Sequence, residues 1–390
     1  MRLLSIVVAC SLMPSVAVCR PGDVIAVPDA ATPVERFAAR ELKDGLERCT
    51  GRPWWVSSER ETTNAAVFVG ATAAVRPFRG ATPYELDEIL METRPDGAVV
   101  LDGHPDRGPI YAVHQYLEDC LGVRWWTATE ASYPHWDDAR LPAARVRFNP
   151  PFKYRESFYL STFDAAFKVR GKGNFASFTR YIFPPIRQEL PTAEMGGVHR
   201  LYFYKGRHSA YHSFFEVLPS RLIGEHPDWF SYSEKEGRRV PRQLCVTNEE
   251  MTRAYIAETL KLLRAAPETT FIQVSQNDAE GYCECADCKR VYEEEGAVSG
   301  AYLRFVNRVA AAIAAEFPRV TVDTFAYMFT RKAPKVTHPA SNVVVRLCDI
   351  ECGMNIPLAD SPSSYAENRA FVKDLEDWSR IAKGRLYIWD

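Results

Sequence analysis

The chain has 390 residues, which is long enough for two domains, and its hydrophobic content of 46% is ample for a packed core. Lysine and arginine number 48 together, against 50 aspartate and glutamate residues, so the formal net charge is only -2. Because the charges nearly balance and no long basic run occurs, the composition argues against nucleic acid or an anionic membrane surface as a partner.

The first 19 residues have the composition of a secretory signal peptide. Arg2 precedes the apolar run Leu3–Leu12, and the small-residue pattern Ser15-Val16-Ala17 follows it. This run is too short to cross a bilayer, and no other stretch approaches about 18 uninterrupted apolar residues, so no transmembrane segment is predicted. We expect the mature protein to begin near residues 18–23 and to be exported to the periplasm, the exterior or, if Cys19 carries a lipid, the cell surface.

Residues 22–145 are predicted to form a small α/β domain. Thr32 is a good N-cap and Pro33 is tolerated at the first helical position, so a helix should start there and end before Gly51. We expect this domain to be a scaffold without chemistry of its own. Its other predicted elements are strands at Asp23–Val27, Ala66–Gly70 and Asp96–Leu101 and a helix at Ile110–Leu121.

Residues 150–390, after a proline-rich linker at 142–151, alternate strands with helices and end their strands in polar residues. This pattern is typical of a (β/α)8 TIM-like barrel. About six strands are counted instead of eight, so we expect a barrel truncated at its C-terminus, in a piece of a longer protein. The predicted strands are Tyr154–Leu160, one that is not placed within Phe163–Ile186, a run from Phe271, Val320–Tyr327, Val343–Leu347 and Leu386–Trp389. The predicted helices are Glu249–Ala265, Ser299–Phe317 and Pro362–Ile381.

Acidic side chains follow three of these strands. Asn277-Asp278 comes after the run from Phe271, Glu351 follows the second strand after it, and Asp390 follows the last. Because the carboxyl ends of parallel strands meet at one face of a barrel, we expect Asn277, Asp278 and Glu351 to converge on one pocket, with the Tyr327 strand between them. The alternatives are that Asp278 only caps the following loop and that Glu351 belongs to a structural ion pair.

Three cysteines come soon after the predicted strand that starts at Phe271. Cys283, Cys285 and Cys288 offer three thiolates at the spacing of metal ligands, and a fourth would complete a closed tetrahedral zinc site. Such a site is structural, since it leaves no open position for water, and no cofactor is expected to be required for catalysis. A disulfide, which export permits, or free thiols are the alternatives. The candidates for the fourth ligand are Cys245, Cys348 and Cys352.

Two pieces of the first domain resemble a known accessory domain. The run Gly103-His104-Pro105-Asp106-Arg107-Gly108-Pro109-Ile110-Tyr111-Ala112 precedes Gly122-Val123-Arg124-Trp125. Together they resemble the non-catalytic N-terminal domain of bacterial α-glucuronidases, over about residues 23–145. A similar domain precedes the barrel in family 20 hexosaminidases. The resemblance implies an accessory domain in front of a glycoside hydrolase barrel.

Motifs across the second domain resemble the bacterial family known as domain of unknown function 4838. Some members of that family form glycoside hydrolase family 163, endo-β-N-acetylglucosaminidases that act on N-glycans. The matching motifs are His226-Pro227-Asp228-Trp229-Phe230, Gln243-Leu244-Cys245-Val246-Thr247-Asn248, Ser275-Gln276-Asn277-Asp278, Tyr282-Cys283-x-Cys285-x-x-Cys288, Arg304-Phe305-Val306-Asn307, Arg346-Leu347-Cys348-x-Ile350-Glu351-Cys352 and Tyr387-Ile388-Trp389-Asp390.

The resemblance implies a glycoside hydrolase-like protein acting on exported or host glycans, with a β-N-acetylglucosaminidase activity in which the acetamide of the sugar is the nucleophile. Asn277-Asp278 would then orient the acetamide and Glu351 would donate the proton, unless the acid lies beyond Asp390. The alternatives are an α-glucuronidase-like hydrolase and a non-catalytic glycan-binding protein. A histidine that the family usually has after Ile-Glu-Cys is missing, and Asn355 stands in that region. The residues expected to bind substrate are Arg155, His212, Tyr327 and Asp390.

Overall fold

The computed structural model describes residues 22–62, 64–138, 140–157, 159–174, 189–198, 211–358 and 365–389. Compact packing divides the chain into two units, Met1–His199 and Arg200–Asp390. The predicted signal peptide and Asp390 lie outside the described residues. Among the residues described, none of the helices combines the length and the hydropathy that crossing a bilayer requires.

A six-stranded mixed sheet forms the centre of the first unit. The strands of this unit are β1 (Gly22–Val27), β2 (Trp55–Ser58), β3 (Ala65–Val69), β4 (Ile89–Thr93), β5 (Val99–Gly103), β6 (Arg124–Trp125), β7 (Ala131–Ser132) and β8 (Arg145–Phe148), and its helices are α1 (Pro33–Thr50), α2 (Arg76–Arg79), α3 (Gly108–Asp119) and α4 (Ala165–Arg170). The strand order in the six-stranded sheet is β2-β1-β3-β5-β4-β8, with β4 antiparallel to both of its neighbours and the other pairs parallel.

Local sequence explains the start and end of α1. The Thr32 hydroxyl accepts the Glu35 N–H, and the Glu35 carboxylate accepts the Thr32 N–H, which together form a capping box. Gly51 ends the helix with a φ of 66°, in the left-handed region that glycine tolerates. Leu42 and Leu46, one turn apart on its inner face, are fully buried. The helix therefore matches its sequence prediction.

Two ionic networks, one around a buried carboxylate and one around a half-buried carboxylate, lie in the first unit. The Asp87 carboxylate accepts from Arg107 Nε at 2.7 Å, from Arg155 Nη2 at 2.8 Å and from Asn174 Nδ2 at 2.7 Å. Although burial opposes ionisation, the charges of Arg107 and Arg155 keep the pKa of Asp87 below its usual value. A second network joins the Glu41 carboxylate to Arg170 Nε at 3.0 Å and to His114 Nε2 at 3.2 Å.

The second unit contains a four-stranded parallel sheet and a separate hairpin. Its strands are β9 (Phe230–Ser233), β10 (Arg238–Leu244), β11 (Phe271–Gln273), β12 (Thr321–Ala326), β13 (Val343–Cys348) and β14 (Leu386–Trp389), and its helices are α5 (Phe214–Val217), α6 (Glu249–Ala265), α7 (Ala286–Glu295), α8 (Ser299–Glu316) and α9 (Ala366–Ile381). The parallel sheet has the order β11-β12-β13-β14, and β9 and β10 form the hairpin. The helices α6 and α8 belong to one core with the apolar face of the parallel sheet.

The protein is thus a mixed α/β protein with a parallel-strand sheet. The prediction that the Tyr327 strand lies between the strands before Asp278 and Glu351 is confirmed, since β12 pairs with both β11 and β13. The prediction of a strand at Tyr154–Leu160 is wrong: its described residues have no strand structure, and Leu160–Phe163 is a 3-10 turn. The side chains of Tyr154 and Arg155 instead form hydrogen bonds within the first unit, to Glu156 and Asp87, and the described part of the segment does not pair with a sheet. A closed barrel stays a prediction.

Candidate functional site

The carboxyl ends of β11, β12 and β13 lead into loops at the same edge of the sheet. Register fixes this arrangement, because Gln273 is opposite Asp323 and Ala326 is opposite Leu347 in parallel pairs. Asp278 follows the first of these strands, Tyr327 the second and Glu351 the third. Asp278, Tyr327 and Glu351 are therefore brought to one edge of the sheet.

Asp278 and Tyr327 are in direct contact. The Tyr327 hydroxyl donates a hydrogen bond to Asp278 Oδ1 at 3.0 Å. Burial, this hydrogen bond and the negative charge of Asp278 raise the pKa of Tyr327 to about 12. The phenol consequently keeps its proton throughout the neutral range and stays a hydrogen-bond donor. Asp278 is exposed, so it has oxygen lone pairs available to a ligand.

His212 lies beside this pair in a left-handed backbone conformation with a φ of 60°. Its Nδ1 is 3.0 Å from the carbonyl oxygen of Gln276, which can only accept, so Nδ1 carries the proton and Nε2 is the acceptor of the neutral ring. Met328, next to Tyr327, also has a positive φ, of 50°. Left-handed non-glycine residues cost energy and concentrate at functional sites.

Five rings form a continuous aromatic cluster on the same edge: Tyr211, His212, Phe325, Tyr327 and Trp389. The ring centroids of Tyr211 and Trp389 are 4.6 Å apart, those of Phe325 and Trp389 are 5.4 Å apart, and those of His212 and Phe325 are 5.2 Å apart. Sequence reasoning missed Tyr211 and Phe325. The signal for Phe325 was present, since residues two apart on a strand share a face and Tyr327 had been chosen.

The Asn277 side chain holds the loop in place, because both polar atoms of its amide bond to backbone groups. Its Nδ2 donates to the Arg242 carbonyl at 2.9 Å, and its Oδ1 accepts the Phe215 N–H at 3.3 Å. The buried side chain of Gln243, which sequence reasoning missed, accepts the Asn277 N–H at 2.9 Å and donates to the carbonyls of Asn277 and Ala279 at 2.9 and 2.6 Å. These bonds fix the backbone on which Asp278 stands.

Glu351 is exposed and forms an ion pair. Arg331 Nη1 donates to Glu351 Oε2 at 3.1 Å, while its Nε and Nη2 donate to Asp374 at 2.9 Å and Glu367 at 3.3 Å. Burial opposes the charge of Arg331, but the Asp374 hydrogen bond and the nearby carboxylates leave its pKa raised. The ion pair matches the structural alternative for Glu351. Its proposed role as proton donor stays a prediction.

A buried ion pair lies in the sheet below the aromatic cluster. Asp323 of β12 accepts from Arg346 of β13, and both side chains are at most 4% exposed. Burial raises the pKa of Asp323, while Arg346 opposes the rise. The Arg346 guanidinium also lies 5.4 Å from the ring centroids of both Tyr211 and Trp389. This pair supports the rings from beneath.

Two predicted substrate-binding residues are not part of this arrangement as described. Arg155 belongs to the first unit, where Asp87 and the carbonyls of Lys172 and Phe152 accept its hydrogen bonds. Asp390 lies outside the described residues. Substrate binding by either one stays a prediction.

The cysteine motif gathers a fourth thiol from the end of the β9–β10 hairpin. The sulfur atoms of Cys245, Cys283, Cys285 and Cys288 all lie within 4.8 Å of one another. Cys245 Sγ is 3.8 Å from Cys285 Sγ and 3.9 Å from Cys288 Sγ. The other two candidates that the sequence left open, Cys348 and Cys352, are not members of this group.

Comparison with curated proteins found no match. Solved structures that match include a family GH115 4-O-methyl-α-glucuronidase with specificity for decorated arabinogalactans, at 11% identity and a TM-score of 0.46, covering 94% of this chain and 53% of that chain. A Streptomyces plicatus β-hexosaminidase matches at 12% identity and a TM-score of 0.40, covering 95% of this chain and 70% of that one. A GH138 enzyme targeting pectin rhamnogalacturonan II matches at 12% identity and a TM-score of 0.38, covering 94% and 46% of the respective chains.

The chain therefore spans about half the length of the GH115 enzyme that it matches. A family model described as Domain of unknown function (DUF4838) matches residues 125–390. This match includes the parallel sheet, the strand-end residues and the four clustered cysteines. Since it covers well over half of the sequence, the chain belongs to the DUF4838 family.

Proposed function

We propose that the second unit binds a carbohydrate at its strand-end site and contributes this site to a glycoside hydrolase acting on β-N-acetylglucosaminides. The observation that carries the proposal is the exposed Asp278 carboxylate, held by the Tyr327 hydroxyl at the carboxyl end of a parallel sheet. Ligands of parallel α/β sheets bind at this end of the strands.

The chemical groups of the site suit a sugar. A sugar ring presents hydroxyl groups, which need donors and acceptors, and an apolar C–H face, which packs on aromatic rings. Asp278 supplies an acceptor, Tyr327 a phenol and His212 a ring nitrogen, while half-buried Trp389 extends the aromatic cluster.

An acetamido sugar would use these groups most fully. The free lone pairs of Asp278 would accept the acetamide N–H and hold the acetamide oxygen against the anomeric carbon. That oxygen would form a bond to the anomeric carbon as the bond to the leaving oxygen breaks. Glu351, protonated after separating from Arg331, would give its proton to the leaving oxygen. Water would then open the cyclic intermediate, returning a proton to Glu351. Asn277 would act through the loop backbone that it anchors.

A uronic acid is a poorer fit to the described residues. Its carboxylate would meet the negative charge of Asp278, and Arg331 and Arg346 are already paired with carboxylates. This disfavours the α-glucuronidase-like alternative. A non-catalytic glycan-binding protein would need the same contacts without the proton donor.

The sheet itself supports a wider proposal about the fold. Four parallel strands in sequential order, with polar residues after each, have the arrangement expected for part of a (β/α) barrel. Further strands would close that barrel and complete the substrate pocket.

Calorimetric titration of the full chain with N-acetylglucosamine, glucose and glucuronate tests the binding step. We expect N-acetylglucosamine to bind more tightly than glucose, and glucuronate to bind most weakly. Asp278→Asn and Tyr327→Phe should each weaken binding about tenfold, the loss expected for a hydrogen bond to a charged group. Asp287→Asn changes another exposed aspartate of the same unit and should leave binding unchanged. Preferred binding of glucuronate would contradict the sugar assignment.

Hydrolysis of an aryl β-N-acetylglucosaminide tests the chemical step. Asp278→Asn and Glu351→Gln should each reduce the rate by more than about 100-fold. Glu367→Gln is the matched control, because Glu367 also pairs with Arg331 but is not assigned to the reaction. Sugar binding without any hydrolysis would favour the glycan-binding alternative. Full activity in both catalytic variants would remove the assignment of Asp278 and Glu351.

A further inference from the structure

The four clustered cysteines join three separate segments of the second unit. Cys245 follows strand β10, Cys283 and Cys285 lie in the loop after β11, and Cys288 is in the first turn of α7. The side chains of Cys245, Cys283 and Cys288 are at most 2% exposed, and Cys285 is half-buried. A depression lined by Tyr232, Arg239 and Cys285 reaches the cluster from the surface.

The spacing of the sulfur atoms fits a tetrahedral metal ion. A zinc–sulfur bond is about 2.3 Å long, and a tetrahedron of that size places its sulfur atoms about 3.8 Å apart. The two distances from Cys245 are 3.8 and 3.9 Å, close to this value. A disulfide would require about 2.05 Å, and a single bond would leave the other two sulfurs crowded without a partner. The arrangement therefore favours coordination over oxidation.

Hydrogen-bond donors surround the sulfur atoms. The Tyr232 N–H donates to Cys283 Sγ at 3.3 Å, and Arg239 Nη1 donates to the same sulfur at 3.5 Å. The Thr247 hydroxyl lies 3.1 Å from Cys288 Sγ. Four thiolates around a dication leave two negative charges in a buried place, and these donors, with the positive charge of Arg239, offset them.

We propose that Cys245, Cys283, Cys285 and Cys288 bind one zinc ion that fastens the loop after β11 to the β9–β10 hairpin. Four sulfur ligands leave no position for water, so the ion is structural and takes no part in hydrolysis. Binding replaces four thiol protons with one Zn²⁺ and releases the protons to solvent. The inference is independent of the proposed carbohydrate function.

A second set of contacts, from Gln243, holds the same loop near the zinc site. Gln243, two residues before Cys245, already bonds the backbone of Asn277 and Ala279. The zinc site holds the later part of the same loop, from Cys283 to Cys288. Together they anchor both ends of the loop to one strand, so loss of the ion should loosen residues 279–285 before it unfolds the sheet.

Metal analysis of the full chain, purified with zinc available and without chelator, tests this proposal. We expect one zinc ion per chain, and cobalt substitution should give the charge-transfer and d–d absorption of a tetrahedral thiolate site. Cys285→Ser should weaken zinc binding more than about tenfold and lower the Tm. Cys352→Ser is the matched control, because Cys352 is a half-buried cysteine of the same unit outside the cluster, and it should retain the ion.

A variant that keeps all four cysteines tests the zinc site without removing a ligand, in case Cys285→Ser fails to fold. Arg239→Gln should weaken zinc binding about 10- to 100-fold, as changes beside a metal site commonly do. Chelation of the native chain should expose all four thiols to alkylation and increase hydrogen exchange in residues 279–285. Chain without zinc, a stoichiometric iron content, a disulfide between two of the four cysteines, or equal zinc loss in Cys285→Ser and Cys352→Ser would each overturn the proposal.

Discussion

Asp87 of the first unit and Asp278 of the second show two different uses of a carboxylate. Asp87 is fully buried and accepts from two arginines and one asparagine. Asp278 is exposed and, among the described residues, has Tyr327 as its hydrogen-bond donor. A carboxylate saturated by its own protein stabilises the fold, whereas one with lone pairs to spare can bind a ligand. The scaffold role expected for the first unit stays a prediction.

The largest effect should come from breaking the saturated network. Asp87→Ala leaves the buried charges of Arg107 and Arg155 uncompensated, which should lower the free energy of unfolding by about 3–5 kcal/mol. Asp87→Asn is the control for shape, because asparagine also tolerates the φ of 61° found at this position. It should cost less than the alanine variant. Urea unfolding, followed by circular dichroism, measures both, and a loss below about 1 kcal/mol for Asp87→Ala would show that the network is dispensable.

A second test uses acid. Burial alone would raise the pKa of Glu41, but the hydrogen bonds and charges of His114 and Arg170 lower it from 4.5 to about 2. The folded state therefore binds the Glu41 proton less readily than the unfolded state does. Its stabilisation is present above about pH 4.5 and is lost as the pH falls towards 2, an upper limit of about 3 kcal/mol.

Glu41→Gln should remove this pH dependence. We expect the variant to be less stable than the native chain at pH 6, and its free energy of unfolding should change less between pH 5 and pH 3. Denaturant titrations at these pH values measure the difference. If the free energy of unfolding changed equally with pH in the two proteins, His114 and Arg170 would not lower the pKa of Glu41 in the folded state.

The sequence predicted those parts of the fold that depend on local signals. The capped helix α1 and the strand Leu386–Trp389 were found because periodicity, caps and β-rich runs are local. Strands β2, β4 and β8 were missed, since they owe their structure to neighbours in the sheet. The strand predicted at Tyr154–Leu160 is also decided by contacts distant in sequence, because Arg155 bonds Asp87 and the Lys172 carbonyl.

The candidate site divides along the same line. The strand-end rule placed Asp278 and Tyr327 correctly at one edge of the sheet, because register along parallel strands is regular. The partners of each side chain could not be predicted. Arg331 is far from Glu351 in sequence, and the choice of Cys245 over Cys348 depends on how the β9–β10 hairpin packs. Such contacts are tertiary and leave no periodic signal.

The smallest expected effect is the sharpest test of the contrast, because it compares two adjacent residues. Asn277→Ala removes an amide that bonds the backbone of Arg242 and Phe215, so it should lower the free energy of unfolding by about 1–3 kcal/mol. Asp278→Asn changes an exposed group and should leave stability within about 0.5 kcal/mol of the native value. Thermal and urea unfolding of both variants measure the difference. If Asp278→Asn proved as destabilising as Asn277→Ala, Asp278 would be a structural cap of its loop, and its proposed role in ligand binding would be contradicted.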